Sequence, residues 1–171
     1  MDCTVAGGIL PPLPLAGQLP PRIFVRQKMY RGRDLPELWD FEGNWQVARR
    51  IEDALSGQEG RFDGTAAFVR DEVGLRYAER GVLTLGSATM EAERVYLWRA
   101  SGDGIEVLFD DGRAFHRIDG SAEAAHWCDP DQYDVTYDFA GWPKWSSRWR
   151  VVGPRKDYVM ITDYMQDASR T

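Results

Sequence analysis

Alternation of apolar and polar residues recurs along the chain after residue 42 and is typical of half-buried strands. It is clearest in residues 145–164, WSSRWRVVGPRKDYVMITDY, where two alternating segments flank Gly153-Pro154. Proline removes a backbone donor and glycine tolerates positive φ, so this pair predicts the turn of a hairpin. A hairpin so rich in Trp and Tyr needs further strands to cover it.

Earlier segments show the same two-residue period and are separated by short polar loops. They are residues 43–51, 62–70, 75–85, 92–100, 105–109, 113–118, 124–129 and 132–139. Gly81 lies inside one of them and is expected to mark a bulge or bend. Together with the hairpin, these segments predict an all-β fold, an antiparallel up-and-down β-barrel of eight to ten strands.

The N-terminal part of the chain follows a different pattern. Five prolines within 11–21 exclude helix there and favour extended chain. We expect a proline-rich extension over residues 1–32 that packs little, with a docking segment as the alternative. Asp34 and Pro36 then suit the first turn of a short helix that plugs one end of the barrel. The barrel domain is predicted to span residues 33–166, followed by a tail over 167–171.

Composition narrows the classes of partner. A net charge of -6 argues against nucleic-acid binding, because proteins that bind nucleic acids present a basic face. The longest apolar run, residues 5–19, is too short and too proline-broken to cross a membrane. Cys3 and Cys128 lie far apart and suggest no disulfide framework, which favours a reducing compartment. We therefore expect a cytoplasmic protein that binds neither nucleic acid nor membrane, and the sequence leaves its oligomeric state open.

Several strand faces combine aromatic rings with charges. If Trp45 points into the barrel, alternation places Arg49 inside too. Because arginine pairs with carboxylates and stacks on rings, such an interior suits a small organic ligand that is aromatic or conjugated and anionic. The predicted ligand-binding residues are Arg49, Tyr77, Glu79, Arg94, Tyr96, Trp98, Tyr137, Trp149 and Tyr158. Two alternatives remain: an internal ion-pair network among the three charged residues, and a protein-interaction module with a vestigial pocket.

The chain's only two histidines form a second constellation with nearby polar residues. His116 and His126 lie on adjacent predicted strands, and Asp131 and Tyr133 follow closely. Histidine and tyrosine can exchange protons, so an alternative function is a cofactor-independent isomerase, cyclase or lyase with these four residues as catalytic groups. The spacing matches no recognised zinc motif, so no metal site is predicted. We expect no cofactor, and the alternative is a haem held by a single axial histidine.

Sequence motifs carry a family resemblance. The Gly-x-Trp of residues 43–45, preceded by a short helix and followed by a meander, resembles the calycin superfamily of lipocalins and fatty-acid-binding proteins. The wider segments LWDFEGNWQVARRIED, RVYLWR, IEVLFDDGRAFHRID, AHWCDPDQYDVTYDF and WRVVGPRKDYVMITDY, within residues 38–164, resemble a mostly bacterial family, domain of unknown function 6314. The resemblance implies a calycin-like barrel and no established activity. It also implies that a late arginine, Arg155 or Arg150, packs near Trp45.

Overall fold

The structure, a computed structural model, describes residues 35–167. The predicted extension over residues 1–32 and most of the predicted tail lie outside this range, so those boundaries stay predictions. The described chain forms one turn of 3-10 helix, Leu38–Phe41, and ten strands. The strands are β1 Gly43–Asp53, β2 Gln58–Arg70, β3 Leu75–Leu85, β4 Ala88–Ser101, β5 Gly104–Phe109, β6 Ala114–Ile118, β7 Glu123–Cys128, β8 Asp131–Asp138, β9 Trp145–Gly153 and β10 Lys156–Gln166.

All ten strands belong to one antiparallel sheet, in the order β6-β5-β4-β3-β2-β1-β10-β9-β8-β7. The pairing of β1 with β10 joins the first and last strands of the chain. The two edges of the sheet, β6 and β7, are consecutive strands connected by residues 119–122. The sheet therefore curls into a nearly closed up-and-down barrel, and the predicted fold is confirmed.

Period-2 alternation decides which side chains face the interior. On β1, Trp45, Val47 and Arg49 are buried, whereas Gln46 and Ala48 are exposed. The inward face predicted from Trp45 is thus confirmed, including the arginine. A one-residue slip of this strand would move the whole apolar set into solvent, so burial of one face fixes the register.

The predicted N-terminal helix is shorter than expected. Only Leu38–Phe41 is helical, as one 3-10 turn, and Trp39 remains 43% exposed. The turn ends there because β1 begins at Gly43, whose φ of 130° suits glycine and redirects the chain. Phe41 is fully buried, and its ring packs on Trp98 and Trp145. Asp34, the predicted cap, lies outside the described residues.

Trp45 has aromatic neighbours rather than the arginine that the resemblance implied. Its indole nitrogen donates to the Phe41 carbonyl at 2.9 Å, and its ring packs on Trp145. Trp45 lies opposite Gln166 at the end of β10, whereas Arg150 lies opposite Val159, near the other end of that strand. Arg155 lies beyond that end, in the turn before β10. The expectation for Arg150 or Arg155 is therefore wrong.

Gly81 does not mark a bulge. It pairs with Gly64 in a regular register between β2 and β3. A Cβ at Gly64 would collide with the Arg80 carbonyl oxygen and meet the tip of the Phe62 ring. The glycines therefore allow a close approach of two strands beneath Phe62, and a substitution at either position would push the strands apart.

Two observations bear on the expectations drawn from composition. Cys128 at the end of β7 is buried and disulfide-bonded, so the expectation of reduced cysteines is wrong for this residue. The cytoplasmic location stays a prediction without that support. Across residues 35–167, no helix has the length and apolar character needed to cross a bilayer.

Candidate binding site

A cavity of about 240 Å³ lies inside the barrel, between the wall formed by β3–β6 and the wall formed by β7–β10. Ten of the thirteen predicted site residues line it: Tyr77, Arg94, Tyr96, Trp98, His116, His126, Tyr133, Tyr137, Trp149 and Tyr158. Eight further lining residues were not predicted: Val107, Phe109, Phe115, Trp145, Ser147, Lys156, Met160 and Tyr164. Arg49, Glu79 and Asp131 are not among the lining residues.

Stacked rings form much of the cavity wall. Phe115 and Trp149 face each other from β6 and β9 with centroids 5.3 Å apart and planes within 6°. Tyr96 on β4 also stacks on Phe115, with ring centroids 5.5 Å apart. Trp145 on β9 and Tyr164 on β10 stack with ring centroids 3.7 Å apart. Offset and stacked rings stabilise one another beyond the area they bury, so these contacts hold the aromatic wall together.

A β-bulge turns two consecutive residues of β6 into the interior. The register between β5 and β6 shifts between Val107 and Leu108, so that Val107 pairs with His116 and Leu108 with Ala114. Phe115 is the extra residue, and both it and His116 are buried. Simple alternation cannot place two neighbours on one face, whereas a bulge re-aims a side chain. Sequence analysis therefore found His116 and missed Phe115.

His116 is a buried, neutral imidazole. Its Nε2 lies 2.7 Å from the Tyr137 hydroxyl, and its Nδ1 is buried without a hydrogen-bond partner. Burial, with a smaller contribution from the charge of His126, lowers the pKa of His116 to about 3. Burial also lowers the pKa of His126, whereas a hydrogen bond to the Phe115 backbone opposes that shift. His116 is therefore uncharged at neutral pH and a poor proton acceptor.

The buried ion pairs centre on Glu79 and are defined here as the Glu79 cluster: Glu79, Arg49, Arg94 and Tyr77. Arg49 donates to both carboxylate oxygens of Glu79, at 2.8 and 2.7 Å. Arg94 Nη2 donates at 3.2 Å, and the Tyr77 hydroxyl makes a short hydrogen bond to Oε2. Burial alone would lower the pKa of Arg49, but the Glu79 carboxylate raises it above its usual value. The ion-pair network that was one alternative from sequence is present.

This network changes the interpretation of two predicted residues. Arg49 and Glu79 are 5% and 3% exposed, and Arg49 also donates to the Thr162 hydroxyl. The guanidinium lies 4.9 Å from the centre of the Phe62 ring. Their prediction as ligand contacts is corrected, because each is saturated by neighbours behind the cavity wall. Arg94, with 19% of its side chain exposed, joins the network to the cavity.

A second ionic group, defined here as the Asp131 cluster, comprises Asp131, Lys156 and Tyr133. Lys156 Nζ lies 2.6 Å from Asp131 Oδ2 and donates to the Tyr133 hydroxyl at 2.7 Å. Burial tends to lower the pKa of Lys156, but the hydrogen bonds to Asp131 and Tyr133 raise it above its usual value. A Cβ at Gly153 would collide with the Asp131 carboxylate, so this glycine leaves room for the ion pair.

Lys156 could have been found from the sequence. Tyr158 was placed on an inward face of β10, and Lys156 lies two residues earlier on the same strand. Its position at the start of β10, directly after the Gly153-Pro154 turn, makes it resemble a loop residue in the sequence. Asp131, predicted as a catalytic group, does not line the cavity and contacts a lining residue through its ion pair with Lys156.

Burial keeps five phenols of the wall neutral. Burial raises the pKa of Tyr158 to about 12, and burial likewise raises the pKa of Tyr77, Tyr96, Tyr137 and Tyr164. Among the residues that the structure describes, Arg94 and Lys156 are the cations that line the cavity, and each is ion-paired with a carboxylate, Glu79 and Asp131 respectively. Within the described residues, no group of three or more His, Cys, Asp or Glu side chains is arranged to hold a metal ion.

Comparison with known proteins places this barrel in context. Residues 41–166 match a family described as "Family of unknown function (DUF6314)". No curated protein matches the sequence. The structure of the S-type phycobiliprotein lyase CPES from Guillardia theta is similar, with a TM-score of 0.55 and 10% sequence identity. The similarity covers 78% of this chain and 92% of that chain. At this identity the likeness concerns the fold alone, a nearly closed antiparallel barrel.

Proposed function

The chain belongs to this family of unknown function (DUF6314), and we propose that the protein binds a small organic molecule inside its barrel. The observation that carries the proposal is the cavity of about 240 Å³, walled by stacked rings and approached by two cations. Ligand sites are typically concave and mostly apolar, with a few placed polar groups. A filled interior would favour the protein-interaction alternative, and this interior is not filled.

The chemistry of the wall narrows the ligand. Parallel faces such as Phe115 and Trp149 favour a planar aromatic or conjugated molecule. Arg94 and Lys156 favour a negative charge, since each presents N–H donors near the cavity. The volume lies just below the roughly 300–1,000 Å³ of common ligand pockets, which favours a compact molecule of one or a few rings. The similar fold of a protein named a phycobiliprotein lyase is consistent with a barrel that handles a small molecule.

Titration of the full chain with naphthoate, followed by tryptophan fluorescence and native mass spectrometry, tests this proposal. We expect one bound molecule per chain, and a loss of at least tenfold in affinity for Trp149→Ala. Trp127→Ala is the matched control, because Trp127 is 61% exposed and on the outer side of β7. Equal affinities for the two variants, or multiple weak binding events, would overturn the proposal.

A second candidate function, proton-transfer catalysis, is favoured by the Asp131 cluster. Lys156 donates to the Tyr133 oxygen at 2.7 Å, which leaves the Tyr133 proton available to a ligand. Tyr133 would give this proton to the carbonyl oxygen of an enolisable substrate while a water molecule takes the proton from the adjacent carbon. Lys156 would stabilise the phenolate, and the protonated water would return a proton to Tyr133, so that the net change is keto to enol. Isomerases and lyases use such steps. His116 is a poorer choice, because burial lowers its pKa to about 3.

Solvent deuterium exchange into phenylpyruvate, an enolisable aromatic keto acid, tests the catalytic candidate. The expected result is accelerated exchange that Tyr133→Phe abolishes and Tyr158→Phe retains, since Tyr158 lines the same cavity without a lysine donor on its hydroxyl. Naphthoate binding without any accelerated exchange would eliminate catalysis and leave the binding proposal intact.

A further inference from the structure

Four buried side-chain nitrogens in residues 35–167 have no hydrogen-bond partner: Arg94 Nε, Trp98 Nε1, His116 Nδ1 and Trp145 Nε1. Trp98, His116 and Trp145 are each more than nine-tenths buried. Arg94 Nε lies 3.0 Å from Glu79 Oε1 but lacks the geometry of a hydrogen bond. Unpartnered buried donors are destabilising and rare in folded proteins, so four of them call for an explanation.

All four nitrogens belong to residues that line the same cavity. They come from both of its walls: Arg94 and Trp98 on β4, His116 on β6 and Trp145 on β9. The rings of Trp98 and Trp145 lie 6.4 Å apart, and Tyr137 connects Trp145 to His116. The nitrogens are therefore concentrated around one space rather than scattered through the core.

The unpartnered groups are donors. Indole and guanidinium nitrogens can only donate. We assign the Tyr137 hydroxyl as donor to His116 Nε2, which leaves the imidazole hydrogen on Nδ1. Carboxylates do not offset this excess, because Glu79 accepts from Arg49, Arg94 and Tyr77.

From this excess of donors we infer that the ligand presents acceptors to both walls, as an aromatic acid with at least one further carbonyl or ether oxygen. The inference rests on the proposed binding function and specifies its ligand class. One acceptor contacts the nitrogens of β4, and another contacts His116 or Trp145. A purely apolar ligand would leave all four donors unpaired, and a cationic one would add to the charge of Arg94.

Matched aromatic probes test the inference on the full chain. Naphthoate should bind at least tenfold more tightly than naphthylmethylammonium, because a hydrogen bond to a charged group contributes about 1.5–3 kcal/mol, a factor of ten or more. Trp98→Phe and Trp145→Phe remove an indole N–H and retain a ring, and each should weaken naphthoate binding about three- to tenfold. Trp127→Phe, on the exposed outer side of β7, should change nothing.

A second measurement needs no substitution in the cavity. In proton–nitrogen correlation spectra, naphthoate should move the indole N–H resonances of Trp98 and Trp145 and leave that of Trp127 in place. Equal affinity for the two probes, or binding without movement of either indole resonance, would overturn the inference and leave the proposed function standing. If no aromatic probe of either charge binds, the proposed function itself fails.

Discussion

Two ionic clusters in this barrel use the same kinds of groups in opposite surroundings. The Glu79 cluster is closed: Glu79 is 3% exposed and receives donors from two arginines and Tyr77. The Asp131 cluster is open, since Lys156 keeps 34% of its side chain exposed and shares its ammonium between Asp131 and Tyr133. The closed cluster supports the wall, and the open one offers groups to a ligand.

The difference shows that burial, rather than charge, decides what an ion pair does. A buried pair gains a strong attraction but loses hydration, so removing one partner leaves an uncompensated charge in a poorly solvated place. An exposed pair is solvated and contributes about 0–1 kcal/mol. The two clusters should therefore respond very differently to the same kind of substitution.

The largest effect is expected for Glu79→Gln. This change keeps the shape of the side chain and removes the charge that Arg49 pairs with at 2.7 Å. We expect a loss of about 3–5 kcal/mol in the free energy of unfolding, measured by denaturant titration. The matched change in the open cluster, Asp131→Asn, should cost about 1 kcal/mol or less. Similar losses for both variants would contradict the distinction between the clusters.

His116 provides a third case, a buried titratable group with no charged partner. Its pKa is lowered to about 3 in the folded state, whereas unfolded histidine titrates near ~6.5. Between these values the unfolded state binds more protons, so stability falls as pH drops below about 6.5. The loss at pH ~5 should be about 2 kcal/mol. Thermal melts across this range should show a much flatter pH dependence for His116→Gln, and an unchanged slope would contradict the assignment.

Substitution of Arg94 is expected to cause a loss of stability between those of Glu79→Gln and Asp131→Asn. Removing it leaves Glu79 paired with Arg49 through two hydrogen bonds, so no buried charge is stranded. Arg94→Met should cost about 1–2 kcal/mol and should abolish the preference for naphthoate over naphthylmethylammonium. Stability and probe affinity measured on the same preparation test both parts. A loss as large as that of Glu79→Gln would show that Arg49 alone does not compensate the charge of Glu79.

The smallest effect is expected for Lys156→Met. Asp131 keeps 14% of its side chain exposed, and water can replace the 34% exposed lysine beside it, so the substitution should change the free energy of unfolding by less than about 1 kcal/mol. Denaturant titration alongside Arg150→Met, which breaks the outer ion pair with Asp157, gives a matched comparison. A cost several times that of Arg150→Met would show that Lys156 holds the barrel together.

Strand alternation allowed much of this molecule to be predicted. The inward positions of Arg49, Arg94 and Tyr137 follow from a two-residue period that any half-buried strand obeys. Phe115 could not be predicted, since a bulge depends on how two strands meet and leaves no local signal. Nor could alternation tell that Arg49 is saturated by Glu79, because their pairing spans a third strand. Sequence patterns therefore predicted which faces enclose the cavity better than which groups are free within it.

The meeting of β6 and β7 has a mechanical consequence. These strands are the edges of the sheet, and the short connection of residues 119–122 tethers them at the end where Ile118 and Glu123 lie. At the opposite end, the side chains of Phe115 and His126 span the seam with ring centres 5.1 Å apart. The barrel wall is therefore open between β6 and β7, and covalent chain joins the two edges at one end only. Any widening is confined to the end that holds Tyr133 and Lys156, so passage of a molecule strains this ring contact and no backbone ladder.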